Sequence, residues 1–189
     1  MFKRVLSRAA SSLVIGEHNA EGLNPSTLSA VTAAAKIGGE VNLLLASDAT
    51  QAAAEAAAQV AGVNKVIVAE GAGLKGQLPE AVAPVIQAVQ QQINASHVLA
   101  PASAFGKNVM PRVAGKLDVD QISEIIDVHD ENTFSRTIYA GNAIQKVKSN
   151  EAVKCITVRG TAFDDAATSG GAASQDSADG SATEKFEKS

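Results

Sequence analysis

From residue 11 to about residue 117, short apolar runs alternate with longer segments whose apolar residues recur at helical spacing. The runs SSLVIGE (11–17), EVNLLLA (40–46), KVIVA (65–69) and HVLA (97–100) are β-branched or leucine-rich and lack strict alternation of apolar and polar positions. Each predicts a strand covered on both faces. Between the first two, Asn24-Pro25 signals a helix start, Leu28, Val31, Thr32, Ala35 and Lys36 continue the helix, and Gly38-Gly39 end it. Asp48 is placed to cap the helix in TQAAAEAAAQVAG (50–62), which stops at Gly62. Further helices are predicted over about 79–93 and 106–117. Strands that alternate with helices in this way predict an α/β fold, a doubly wound and mostly parallel sheet.

After residue 117 the pattern changes. QISEIIDVH (121–129), TFSRTIYA (133–140), AIQKVKS (143–149) and AVKCITVR (152–159) are short strands with tight connections, with turn signals at Gly141-Asn142 and Ser149-Asn150. They are expected as antiparallel strands added to the edge of the sheet after about residue 120. From residue 166 onward the chain is Ala, Ser, Gly and Asp with few large apolar groups, the composition of a flexible linker or tail. The expected organisation is a leader over 1–11, one α/β domain over 12–165 and a tail over 166–189.

The leader reading rests on charge. MFKRVLSRAAS carries Lys3, Arg4 and Arg8, has apolar residues at helical spacing and no acid, the make-up of a mitochondrial transit peptide. Its apolar run is too short for a membrane span. Over the whole chain the formal charge is −4 and no basic stripe follows the leader, so nucleic acid is not expected as a partner. Aromatics make up 3% of residues and Trp is absent, which leaves no stacking platform for bases and a core of Ala, Val, Ile and Leu.

Candidate chemistry is sparse. The single cysteine, Cys155, excludes an internal disulfide or a CxxC pair, and it sits in an apolar run as a small core residue. The turn ASAFGKN (102–108) follows a strand and opens a helix, where free N–H groups and the helix dipole attract anions. Ser103, Gly106 and Lys107 are the anion-site candidates; a tight turn capped by Ser103 is the plainer reading, because no P-loop pattern stands here. The segment EGAGLKGQ (70–77) lacks the GxGxxG fingerprint and reads as a flexible surface loop. Ser169-Gly170-Gly171 resembles a phosphate-loop start but stands in the tail, the wrong position for one. His18, His97 and His129 are far apart, with no HExxH spacing, so no metal site is expected; His97 reads as a packed or hydrogen-bonded histidine. Nothing forms a Ser–His–Asp signature or a GxSxG elbow, and no catalytic residue is assigned.

Three segments carry more than spacing: ASAFGKNVMPRVAGKL (102–117), TIYAGNA (137–143) and VRGTAFDDAATSGGAAS (158–174), with LVIGEHNAEGLNPSTL (13–28) upstream. Together they closely resemble the N-terminal domain of the electron transfer flavoprotein alpha subunit, over nearly the whole chain. The resemblance implies an adenine-nucleotide alpha-hydrolase-like fold. It implies a heterodimer with a beta subunit, one FAD, electrons taken from acyl-CoA and related dehydrogenases, and delivery to a membrane quinone oxidoreductase. It places the protein in the mitochondrial matrix, as an electron carrier rather than an enzyme, without membrane insertion. In that family the FAD lies mainly in a C-terminal domain that has no counterpart before Ser189, so no flavin residue is carried over. The chain alone is expected to be a scaffold without bound FAD, meeting the beta subunit through apolar residues exposed on the short antiparallel strands. The alternative reading is a stand-alone adenine-nucleotide-binding module.

Overall fold

The computed structural model describes residues 10–19 and 22–181. The leader reading falls largely on residues 1–9, outside the described residues; Ser11 already belongs to the first strand. In chain order the elements are β1 (Ser11–Ile15), β2 (His18–Asn19), β3 (Gly22–Leu23), α1 (Ser26–Ile37), β4 (Glu40–Ser47), α2 (Gln51–Ala58), β5 (Lys65–Glu70) and α3 (Pro79–Ile93). There follow β6 (His97–Pro101), α4 (Ala104–Leu117), β7 (Gln121–Asp130), β8 (Thr133–Ile138), β9 (Ala143–Lys148), β10 (Lys154–Val158) and β11 (Ser174–Asp179).

Nine strands make one sheet in the order β11-β5-β4-β1-β6-β10-β7-β8-β9, and β2 and β3 form a separate antiparallel pair. From β11 to β7 every pairing is parallel; β7–β8 and β8–β9 are antiparallel. The expected doubly wound, mostly parallel sheet with antiparallel strands after residue 120 is what forms.

Successive strand residues point to opposite faces, and here both faces are covered. Val14, Leu43, Leu45 and Val66 pack with α1 and α2, together with Phe134 and Phe163. Their neighbours Leu13, Ile15, Leu44 and Ile67 pack with α3 and α4, together with Met110 and Cys155. This explains the unbroken apolar runs: a strand between two helix layers has no polar face. Small residues let the helices lie close. In α1 the buried stripe is Ala30, Ala33, Ala34 and Ile37, whereas Ala35 and Lys36, predicted as part of the periodic set, are exposed. The connection from α1 to β4 turns at Gly39, where φ is +79° and any Cβ would collide with the Ala10 carbonyl, so only glycine fits.

Three local expectations are corrected. Asp48 does not cap α2: the N-cap is Thr50, whose hydroxyl donates to Glu70 Oε1 at 2.6 Å, while Asp48 accepts from the Ser47 hydroxyl at 3.1 Å. The strand in AVKCITVR is not an antiparallel edge addition. β10 lies inside the sheet, parallel to both β6 and β7, with all five residues buried. The chain makes the β7–β8–β9 excursion and then returns between β6 and β7. Finally, the segment from residue 166 is not simply a tail. Gly171 and Ala173 donate backbone hydrogen bonds to Gln59 and Ala58 at the end of α2, and β11 then pairs in parallel with all of β5.

Candidate functional site

Open α/β sheets offer ligands a crevice where the strand order reverses, at the carboxyl ends of the strands. Here β1, β4 and β5 run to one side, and the chain then crosses over α3 to place β6 on the other side of β1. The reversal therefore lies between β1 and β6. At the carboxyl ends sits a crevice of about 380 Å³ lined by residues that follow β1, β4 and β6 and by the loop after β5; among them are Glu17, His18, Ser47, Asp48, Gln77 and Phe105.

Each wall has a local cause. The loop 70–77, expected to be flexible, is a pair of short 3-10 turns over Ala72–Gln77, broken at Lys75 and Gly76 and pinned by the fully buried Leu74. Gly71 donates to the Ser47 carbonyl, and the Gln77 side chain donates to the His18 carbonyl at 2.9 Å. His18 sits in β2 with Nδ1 3.0 Å from the Gly16 carbonyl oxygen, so Nδ1 carries the proton and donates. Its Nε2 is then an acceptor, buried and without a hydrogen-bond partner among the described residues. Burial holds the imidazole below the usual histidine range, against the raising effect of the Gly16 hydrogen bond.

The sequence-predicted anion candidates lie beside this crevice but do not line it. Ser103 caps α4 by accepting from the Gly106 N–H at 3.1 Å, and Lys107 pairs with Glu124 at 2.6 Å. Gly106 is needed for packing, since a Cβ there would run into the Pro101 carbonyl. The turn thus brings the three candidates together, but the Gly106 donor and the Lys107 charge are each engaged within the chain.

The remaining chemistry-bearing residues have structural partners. His97 accepts the Ser96 hydroxyl at Nδ1 (2.9 Å), donates from Nε2 to the Glu131 carbonyl (2.7 Å) and meets Phe134 edge-on. It is the packed, hydrogen-bonded histidine predicted. His129 bonds the Ser135 hydroxyl at 2.8 Å. Cys155 is fully buried in β10, and burial pushes its thiol up to about 12. Gly171 packs against the backbone at Gln59 and Val60, and Gly170 has a φ of +89°, so the glycine pair in the Ser169-Gly170-Gly171 run has structural causes. Among the described residues no group of three or more His, Cys, Asp or Glu is arranged to hold a metal ion, and no helix is long and apolar enough to cross a membrane.

At the opposite end of the sheet from β11, β8 and β9 form an arm. It is rooted by the fully buried Phe134 and runs outward to Tyr139 and Ile144, which are 78% and 70% exposed. No residue of β9 is buried. Residues 133–148 carry Arg136, Lys146 and Lys148 and no acid, in a chain of net charge −4. The arm is a basic, apolar-tipped projection from an acidic body.

Comparison with known proteins agrees with this architecture. The family model described as the electron transfer flavoprotein domain matches residues 12–186. The chain belongs to the electron transfer flavoprotein family. A probable alpha subunit of the electron transfer flavoprotein from Caenorhabditis elegans, described as mitochondrial, is 48% identical over 167 residues, covering 88% of this chain and 50% of the relative. The alpha subunit from Pseudomonas aeruginosa is 54% identical over 170 residues, covering 90% and 54% respectively. That from Dictyostelium discoideum, also described as mitochondrial, is 43% identical over 185 residues, covering 95% and 52%. The chain thus spans about half the length of the curated alpha subunits it matches.

Sequence reasoning had weighed glycine-rich turns for phosphate and so missed the crevice around His18. The signal was present in EHNAEGL directly after the first strand, where a histidine and an acid stand at a carboxyl end. Its significance depends on the crossover that brings β6 beside β1, which spacing along the chain does not reveal.

Proposed function

We propose that this chain is the N-terminal part of an electron transfer flavoprotein alpha subunit and serves as its scaffold and subunit-contact domain. In the full heterodimer with the beta subunit, FAD carries electrons from acyl-CoA and related dehydrogenases to the membrane quinone oxidoreductase, in the mitochondrial matrix. The mitochondrial descriptions of the worm and slime-mould relatives support the compartment.

Among the described residues, neither the 103–107 turn nor the crevice around His18 fits FAD. A flavin dinucleotide carries a pyrophosphate, which calls for free N–H donors or cations. The Gly106 N–H is taken by Ser103, Lys107 is paired to Glu124, and the crevice presents the carboxylates of Glu17 and Asp48. The flavin is therefore assigned to the other half of the full-length subunit, and the electron-carrying step belongs to the assembled heterodimer rather than to residues described here.

The observation that carries the scaffold reading is the arm. A two-stranded extension with large apolar side chains at its end gains little by standing in water, and exposed apolar groups of this kind mark contact surfaces. Its basic charge suits an acidic partner surface, and the aromatic tip suits the centre of an interface. We assign it to contact with the beta subunit. The test is retention of the chain by immobilised cognate beta subunit. Wild type is expected to bind, and the double substitution Tyr139→Ser with Ile144→Ser to bind about tenfold or more weakly with stability unchanged. No binding by the wild-type chain, or equal binding by the variant, would count against the assignment.

A further inference from the structure

We propose that the groove at the tip of the arm seats an acidic side chain of the beta subunit, with Arg136 and Arg159 as the residues that hold its carboxylate. The inference rests on the assignment of the arm to that subunit and names the chemistry of the contact. The groove has a volume of about 550 Å³. Ser123 and Glu124 reach it from β7, Arg159 directly after β10, and Arg136, Thr137 and Tyr139 from the arm.

Charge sets the class of occupant. Of the three described arginines, Arg112 is paired with Glu80 at 2.7 Å, whereas Arg136 and Arg159 have no acid at ion-pair distance among the described residues. Each is held instead by a neutral side chain. Arg159 donates to the Thr137 hydroxyl at 3.0 Å, and Arg136 donates to Gln145 Oε1 at 2.9 Å. Such bonds orient a guanidinium without neutralising it and leave its other N–H donors free. The acid that lines the groove, Glu124, is committed to Lys107 at 2.6 Å. The groove therefore keeps an unbalanced positive charge in a chain of net charge −4. A guanidinium fork matches a carboxylate through two parallel hydrogen bonds.

Shape and continuity make the occupant part of a protein. Glu124, Tyr139 and Ala140 line the groove with φ of +52°, +51° and +55°, a region that L side chains rarely adopt. Backbone strain of this kind persists where the surroundings fix a local shape. Tyr139, the exposed apolar residue at the tip, is itself a wall of the groove, so a subunit that covers the tip covers both arginines' groove. An ion pair shielded in this way is screened less than one in open water.

The test is binding of the whole chain to immobilised cognate beta subunit across a sodium chloride series. Arg136→Gln with Arg159→Gln is expected to bind about tenfold more weakly at low salt, with a shallower salt dependence than wild type and an unchanged urea midpoint. Tyr139→Ser with Ile144→Ser should weaken binding and keep the wild-type salt slope. Arg159→Lys supplies a second measurement. A carbodiimide joins an amine to a carboxylate in contact with it, so mass spectrometry should find a zero-length crosslink from residue 159 to an Asp or Glu of the beta subunit. An arginine variant with wild-type affinity and salt slope, or absence of that crosslink, would overturn the inference, while the loss with Tyr139→Ser and Ile144→Ser would leave the arm's assignment standing. No binding by the wild-type chain would overturn both.

Discussion

His97 shows how one side chain ties the parallel sheet to the arm. It sits at the first residue of β6, yet its Nε2–H reaches the Glu131 carbonyl in the β7–β8 turn, and its ring packs edge-on against Phe134. Burial is the main cause holding it below the ordinary histidine value of 6.5, with Lys154 acting in the same direction and Glu131 opposing. His18 is lowered for the same principal reason. A lowered value in the folded state means that the unfolded chain takes up protons first as pH falls. Their contribution to stability is full above pH 6.5 and is lost as the pH drops below it towards the folded-state values. The urea midpoint should therefore fall between about pH 7 and about pH 5, and His97→Phe should flatten part of that fall. The same substitution leaves the Glu131 carbonyl unmet and should cost about 1–3 kcal/mol. A pH-independent midpoint would contradict the assignment. Cys155 gives a second residue-scale prediction. With its thiol pushed up to about 12 in the core of β10, it should resist thiol reagents in the native protein and react once unfolded.

At the scale of elements, what was legible followed the apolar pattern. Four of the parallel strands, β1, β4, β5 and β6, and their helices were readable because burial on both faces demands continuous apolar runs. The role of Ser103 as a cap was readable because its hydroxyl stands three residues before the N–H it accepts. Two strands were misread for opposite reasons. β10 carried the signature of a central strand, with Cys155, Ile156 and Val158 fully buried, but its neighbours along the chain are the arm strands and suggested an antiparallel partner. β11 has almost no apolar residues because it is an edge strand, held by backbone pairing to β5 and by an exposed Lys65–Asp176 pair at 2.7 Å. Hydrogen-bonded register leaves no trace in hydropathy. Ending the chain after residue 173 should therefore open one side of β5, speed amide exchange across Lys65–Glu70 and cost about 1–3 kcal/mol. Unchanged exchange in those amides would show that β11 does not pair in solution.

At the scale of the molecule, the described residues divide into a well-covered core and an uncovered arm. The core has both sheet faces sealed by helices, and its strand-order reversal opens the acidic crevice around His18. The arm turns basic and apolar residues outward from an acidic protein. This division suits the proposed role of a domain that contributes contact and support to a larger assembly. The most direct test is the visible absorption spectrum of the purified chain with added FAD, alone and again with the beta subunit. No flavin bands should remain with the protein after gel filtration in either case. Stoichiometric flavin retained by the chain alone would contradict the account, and would return attention to the 103–107 turn and the 70–77 loop as its site.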